Sequence, residues 1–399
     1  MATSSPKITD SLQFPEHIQT SKVLYGTGIV GLLASAVGYF LNSEQFFFSY
    51  LTSFTYFTSF ALAALILLMI HHITQSSWGV VIRRIPEAFS SNLWIWAIFI
   101  IPILFGMHSL YHWTHTEDVL ADPILAGKMP YLNETFFVIR QIIYFSIWGY
   151  IGYKLHKVSV EMDRTGDWGL TQLLKKYSAP GILIFALTVA FASFDWLMSL
   201  DPHWFSTMFG VYFFAMSIQA FFPLMILLIS WMQKRGILEN TISKSHIYDM
   251  GAWFFGFTVF YAYIAFSQLL LIYYANIPEE TLWFYHRLEG SWAFVSYSLI
   301  IGRFVLPFIL LLNRDTKHQK KLLIFTSVLV LFMHFVEVYW IAMPILSHHG
   351  VHISWMDITT FFGLGGIFFG LFFQRLKKHN LVPVNDPKLA ESLDKHYHQ

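Results

Sequence analysis

Six ionisable residues stand inside long apolar stretches of this chain: His108, Arg140, Asp195, Arg303, His334 and Glu337. In hydrocarbon each such charge costs roughly 2.5–3.5 kcal/mol on insertion scales, so it is kept where a partner or a function offsets that penalty. Arg140 and Asp195 fall at similar depth in neighbouring runs and can form a hydrogen-bonded ion pair. His108 shares that depth and joins them as a candidate. His334 and Glu337 are three residues apart, on one helical face that Trp340 extends. Both residue types can bind and release protons when buried, and Arg303 on the preceding run is a candidate counter-ion. The chemistry available to these groups is a proton relay or the polar end of a quinone pocket. The structural alternative is a pair of buried ion pairs through which nothing passes.

Metal and haem chemistry have weaker footing. His108, His112 and His115 read H-x3-H-x2-H at the end of an apolar run, a spacing that can gather imidazoles around zinc. Histidines at a membrane interface are, however, commonly just solvated. His71 and His72 are adjacent and point to different faces of a helix. Haem in a helix bundle needs axial ligands on facing helices, and only His108 with His334 could supply them. The sequence reading therefore expects no metal and no covalently bound cofactor. The chain has no Cys, which excludes disulfides, iron–sulfur ligation, c-type haem attachment and thiol nucleophiles. No nucleotide-binding loop, nucleophile elbow or protease motif is present.

The elements that must position the six residues are membrane helices. Of 399 residues, 55% are hydrophobic and only 12% charged, against roughly 25% charged in a soluble domain. The 41 Phe and 14 Trp suit lipid-facing surfaces and interfacial belts. A formal net charge of +1 carries no nucleic-acid signature. A bilayer core of about 30 Å takes about 20 helical residues. Apolar runs of that order recur at 23–41, 46–70, 92–113, 134–155, 178–200, 205–232, 248–275, 290–312, 322–346 and 356–374. Ten spans place Arg83, Arg84, Lys154, Lys157, Arg164, Lys175, Lys176, Lys234, Arg235, Lys244, Arg314, Lys317, Lys320, Lys321, Arg375, Lys377 and Lys378 on one side. Only Lys128 and Arg287 fall on the other side, so the positive-inside rule puts both termini in the cytoplasm. The first twenty residues lack the basic-then-apolar order of a signal peptide, and the first run is expected to remain as a helix.

A weak internal repeat organises the spans. The fifth ends in Asp195-Trp196-Leu197-Met198, and the ninth in Glu337-Val338-Tyr339-Trp340-Ile341-Ala342-Met343. The fourth and eighth each bury one arginine, Arg140 and Arg303. The expected layout is all-α: a cytoplasmic tail (1–20), a flanking helix (21–43), a first four-helix bundle (44–200), a second (201–350), another flanking helix (351–378) and a cytoplasmic tail (379–399). Small residues line both flanking helices: Gly28, Gly31, Ser35 and Gly38 on the first, Gly363, Gly365, Gly366 and Gly370 on the last. Such stripes permit close helix contact, either internally or with another subunit. Glu117, Asp118 and Asp122 in the 114–132 loop suggest a docking surface, or simply a solvated loop.

This layout resembles the NrfD/polysulfide-reductase family of membrane subunits. The segment SFDWLMSLDPHWFSTMFGVYFFAMSIQA at 193–220 is similar in particular to the F subunits of bacterial alternative complex III, a quinol:electron-acceptor oxidoreductase. The resemblance runs over nearly the whole chain. It implies an accessory subunit, without a redox cofactor of its own, in a respiratory complex of the bacterial inner membrane. Partners would be a sister NrfD-like membrane subunit, an iron–sulfur protein and c-type haem subunits, with lipids around them. Quinone would sit in the sister subunit rather than here, and Asp195 would belong to a proton pathway. The rival reading from another class is a proton-coupled secondary transporter, which a four-plus-four repeat also permits. A purely structural scaffold is the third.

Overall fold

The computed structural model describes residues 8–347 and 350–394, so the outermost parts of both expected tails lie outside the described residues. Ten long helices run through it, with no strand among the described residues. They are α1 (Thr20–Leu41), α2 (Ser43–Thr74), α3 (Arg84–Phe105, in short segments), α4 (Glu134–Thr165) and α5 (Leu170–Trp196). The second half holds α6 (Phe209–Gln233), α7 (Lys244–Ala275), α8 (Gly290–Leu312), α9 (Lys320–Ala342) and α10 (Trp355–Leu376). Helices are the only open-ended element that satisfies its own backbone in lipid, which is why an apolar chain of this length folds this way. Large apolar side chains remain outward on the rim, such as Phe40 and Phe105, as a lipid-facing surface requires.

Among the described residues nine of these helices are both long and apolar enough to cross a bilayer. The tenth, α4, is diluted by Arg140 and Gln141, yet the chain ends show that it crosses too. The Leu381 amide donates to the Leu12 carbonyl (2.7 Å), and Asp386 pairs with Arg83 just before α3. Termini on one face require an even number of crossings. At 32 residues and 1.5 Å per residue, α4 is about 48 Å long and spans a core of about 30 Å with about three turns to spare. The loops alternate accordingly. Asn385 Nδ2 donates to the Asp163 carbonyl beside the α4–α5 turn, while Lys128 Nζ and Trp204 Nε1 join the α3–α4, α5–α6 and α7–α8 loops on the opposite face.

Each half forms a closed ring of neighbours: α2–α3–α4–α5, and α6–α7–α8–α9. The halves share a seam in which α2 packs on α6 and α9, and α5 on α6. The flanking helices do not stand apart. Helix α1 lies along α10, and α10 lies on α2. A Cβ on Gly31 would come within 2.5 Å of the Gly363 amide nitrogen, and one on Gly366 within 2.5 Å of that of Gly28. The small-residue stripes are thus consumed within the chain, so of the two contacts the sequence allowed, internal and with another subunit, they make the internal one. Ser35 Oγ also bonds Thr359 Oγ1 (3.0 Å), and Ser49 Oγ on α2 bonds Asp357 at the start of α10.

The third crossing begins at Arg84 rather than at 92, a correction to the sequence reading. Residues 83–91 look like a solvated loop in sequence but are buried throughout, because Glu87, Asp163 and Asp386 together pair with Arg83 and Arg84. The expected run to 113 is broken rather than continuous: Gly106 caps one segment, one more helical turn runs Met107–Leu110, and a tight turn follows at His112–Thr114.

Candidate functional site

Each half of the protein holds one buried arginine–carboxylate pair, set by the same two helices of its ring. In the first half Arg140 of α4 meets Asp195 of α5 through two parallel bonds, Nε to Oδ2 at 2.8 Å and Nη2 to Oδ1 at 2.9 Å. Such a fork supplies geometry as well as energy. The Tyr131 hydroxyl donates to Oδ1 (2.9 Å) and the Tyr144 hydroxyl to Oδ2 (3.0 Å), with Gln141 Nε2 near Oδ2 at 3.3 Å. Arg140 spends another donor on the Tyr131 carbonyl (2.8 Å) and lies over the Tyr131 ring. Gln141 is itself aimed by Trp196, whose Nε1 donates to Oε1 at 2.8 Å. Asp195 is fully buried.

In the second half Arg303 of α8 pairs with Glu337 of α9 at 2.5 Å, both fully buried. The Tyr212 hydroxyl of α6 and the Tyr261 hydroxyl of α7 both donate to Glu337 Oε1. Gln219 Oε1 accepts from Arg303 Nε (3.0 Å) and Nη2 (2.6 Å), and the Met216 carbonyl accepts from Nη2 (3.0 Å). Arg303 sits in a π-helical turn, Ile300–Val305, followed by Pro307. Pro307 has no amide hydrogen to give the carbonyl four residues back, which is that of Arg303. Gln219 Nε2 fills the gap, donating to that carbonyl at 2.9 Å. One glutamine therefore holds the arginine at both its side chain and its backbone.

His334 joins this cluster differently from the sequence expectation. Its Nδ1 accepts from Arg303 Nη1 (2.8 Å), since a guanidinium can only donate, so Nε2 carries the proton and donates to Ser59 Oγ on α2 (2.9 Å). His334 and Glu337 share a helical face, but the same Arg303 nitrogen stands between them. A permanently charged guanidinium does not hand on protons, so no direct His334–Glu337 relay is built. Trp340 turns away to donate to Ser296 Oγ (2.8 Å). The groups on Glu337 that can exchange a proton are the two tyrosines.

His108 is corrected outright. It is exposed, stacked on His115 with ring centroids 4.0 Å apart, and its contacts are with Thr114 and His115 rather than with Arg140 or Asp195. The His108–His334 haem pairing fails with it, because His334 has both ring nitrogens engaged elsewhere.

Sequence reasoning missed a third cluster, near the termini. Glu87 of α3 is fully buried between Arg83 and Arg84 and accepts from Ser159 Oγ (2.8 Å), with His156 Nδ1 at 3.3 Å. Asp163 and Asp386 neutralise the outer sides of the two arginines. The signal available was the R-R-x-x-E spacing, which places Glu87 one helical turn from both arginines.

A largely apolar cavity of about 600 Å³ opens beside the second pair, lined by Tyr212, Tyr261, Gln268, Ser296, Glu337 and Trp340 among aromatic and aliphatic residues. No protein-family model matches the chain, and no curated protein aligns with it.

Proposed function

We propose that this chain is an accessory membrane subunit of a quinol:electron-acceptor oxidoreductase in the bacterial inner membrane, and that its own contribution is a pair of buried protonatable sites. The observation that carries the reading is the repeated cluster: one carboxylate per half, clamped by an arginine and two tyrosine hydroxyls. Support for the larger assembly comes from the resemblance of residues 193–220 to the alternative complex III subunits, and the cytoplasmic placement of both termini follows from the lysine and arginine distribution.

The chemistry asked of the clusters is modest. A carboxylate with two hydroxyl neighbours can take up a proton and pass it through a tyrosine while the arginine keeps the site charged enough to release it. Asp195 connects through Tyr131 to the face opposite the termini, whereas Glu337 borders the apolar cavity. At the margin of that cavity Glu337 Oε1 is taken by both tyrosine hydroxyls, while Oε2 is in ion-pair contact with Arg303 but accepts no hydrogen bond. The resemblance assigns quinol oxidation to the sister NrfD-like subunit, and electron transfer to the iron–sulfur and c-type haem partners.

The test is to isolate the complex from native membrane and reconstitute it with Asp195→Asn or Glu337→Gln. Quinol turnover without a membrane gradient should persist, while protons moved per electron should fall. A chain that purifies alone, without haem or iron–sulfur partners, sinks the assembly part of the proposal. Unchanged proton stoichiometry in both variants sinks the proton part.

A further inference from the structure

Besides the three buried clusters, a group of metal-ligating side chains sits on the face opposite the termini, in the loop between α3 and α4. One ligand atom from each of His112, His115 and Asp118, a ring nitrogen or a carboxylate oxygen, lies within 4.8 Å of the other two. His115 Nδ1 is 3.5 Å from Asp118 Oδ2, and His112 Nε2 is 3.8 Å from the same oxygen. Ligands bound tetrahedrally to zinc at about 2.0–2.2 Å are separated from one another by about 3.3–3.6 Å, so both imidazoles already stand near a ligand-to-ligand distance from Asp118.

A second observation shows that the imidazole is set up to ligate. His115 Nε2 lies 2.9 Å from the backbone carbonyl of His108. A carbonyl only accepts, so Nε2 carries the ring proton and Nδ1 presents its lone pair toward Asp118. Fixing the tautomer of a ligating histidine through its far nitrogen is what outer partners do in metal sites. The local fold holds the three in place. His112 opens a tight turn, His115 caps the short helix Thr116–Ala121, and Asp118 follows in its first turn. Trp113, buried between His112 and Thr114, packs against Tyr111 and Phe137 and anchors the turn to α4.

We propose that His112, His115 and Asp118 form a divalent transition-metal site, selective for zinc-like ions over magnesium or calcium. Two imidazoles and one carboxylate suit a borderline metal, and hard cations prefer an all-oxygen set. The site offers three protein ligands and leaves further positions to water or to a side chain of a docked partner, since His112 and Asp118 are half exposed. It rests on this loop alone and is independent of the proton-site reading above.

The experiment uses the full chain purified in detergent, stripped of metal and titrated with Zn²⁺ by calorimetry, then with Co²⁺ by visible absorption. One zinc per chain is expected, together with cobalt bands of low-coordinate nitrogen and oxygen ligation, and no response to Mg²⁺. His112→Ala/His115→Ala should weaken zinc binding by about a hundredfold or more, the upper end of what losing a mere outer-shell partner does. His203→Ala is the control. That exposed histidine pairs with Asp122 on the same face but has no third ligand among the described residues, so its loss should leave affinity within about twofold of the parent. Zinc binding that survives in the double variant, or none in the parent chain, overturns the proposal. Both variants lie in a surface loop, and an unchanged far-ultraviolet spectrum confirms that the helices persist.

Discussion

Replacing Arg303 by Met removes the positive charge of the second cluster while keeping most of its volume. The guanidinium is fully buried and serves five acceptor contacts: two to Gln219 Oε1 and one each to the Met216 carbonyl, His334 Nδ1 and Glu337. Breaking a buried pair from one side costs about 3–5 kcal/mol, because the remaining charge is left uncompensated. The orphaned neutral acceptors would add about 1–3 kcal/mol each if nothing relaxed. They do relax: Glu337 can take up a proton, and Gln219 can turn its amide. The expected loss is therefore about 3–5 kcal/mol in all, roughly a thousandfold in the folding constant. The companion is Glu337→Gln alone and the double variant Arg303→Met/Glu337→Gln. With neither charge present, the double variant should recover about 1–3 kcal/mol relative to the sum of the singles. Unfolding in mixed micelles followed by tryptophan fluorescence reads all four proteins. A single-variant cost below about 1 kcal/mol, or strict additivity, would refute the idea that this ion pair is dry and mutually dependent.

Two further outcomes can be checked with the same preparation. Gly31→Leu drives a side chain into the α10 backbone at Gly363 and should cost about 1–3 kcal/mol while loosening α1 from α10. Because the chain has no Cys, a Cys pair at Ser35 and Thr359, whose hydroxyls bond at 3.0 Å, reports that loosening as a drop in disulfide yield. His379, just past α10, is pushed down to about 4 by burial, then by the nearby His156, Arg84 and Arg375. Folded protein thus binds fewer protons there than the unfolded chain, whose His titrates near 6.5. Stability should rise with pH between about 4 and 6.5 and flatten above. His379→Gln should reduce the slope of melting temperature over that window, and an unchanged slope counts against the assignment.

Much of this architecture can be read in the sequence because lipid imposes simple rules. Apolar length and the lysine–arginine bias fix ten crossings, and a charge inside such a run must find a partner, which is how Arg140–Asp195 and Arg303–Glu337 show themselves. What escapes is anything that depends on direction rather than depth. His108 has the right depth but faces outward. His334 and Glu337 share a face but meet the same guanidinium rather than each other. Tyr131, Tyr144, Tyr212 and Tyr261 are four of 20 tyrosines, with no local pattern to single them out. Glu87 was hidden for another reason: a run of mixed charge looks alike whether water or buried partners, here Asp163 and Asp386, complete its neutralisation. The glycine stripes announce close contact but not the identity of the partner, which topology supplies by bringing α1 against α10.

The two carboxylate clusters resemble each other in composition but not in construction, and that difference makes a last prediction. Asp195 takes its hydroxyls from Tyr131, in the loop leading into α4, and Tyr144, within it, next to its own arginine. Glu337 takes them from Tyr212 and Tyr261, on the two helices across the ring. The first cluster is thus a local device of α4 and α5, and the second ties all four helices of its half together. No hydrogen-bonding partner is common to Asp195 and Glu337. Sites without shared partners behave additively within about 0.3–0.5 kcal/mol. Asp195→Asn and Glu337→Gln should therefore add in their effect on unfolding free energy, with Glu337→Gln the more damaging because four helices feel it. A coupling above about 1 kcal/mol between them would mean that the halves communicate through the α2–α6 seam, and a continuous route between the clusters would then replace two separate ones.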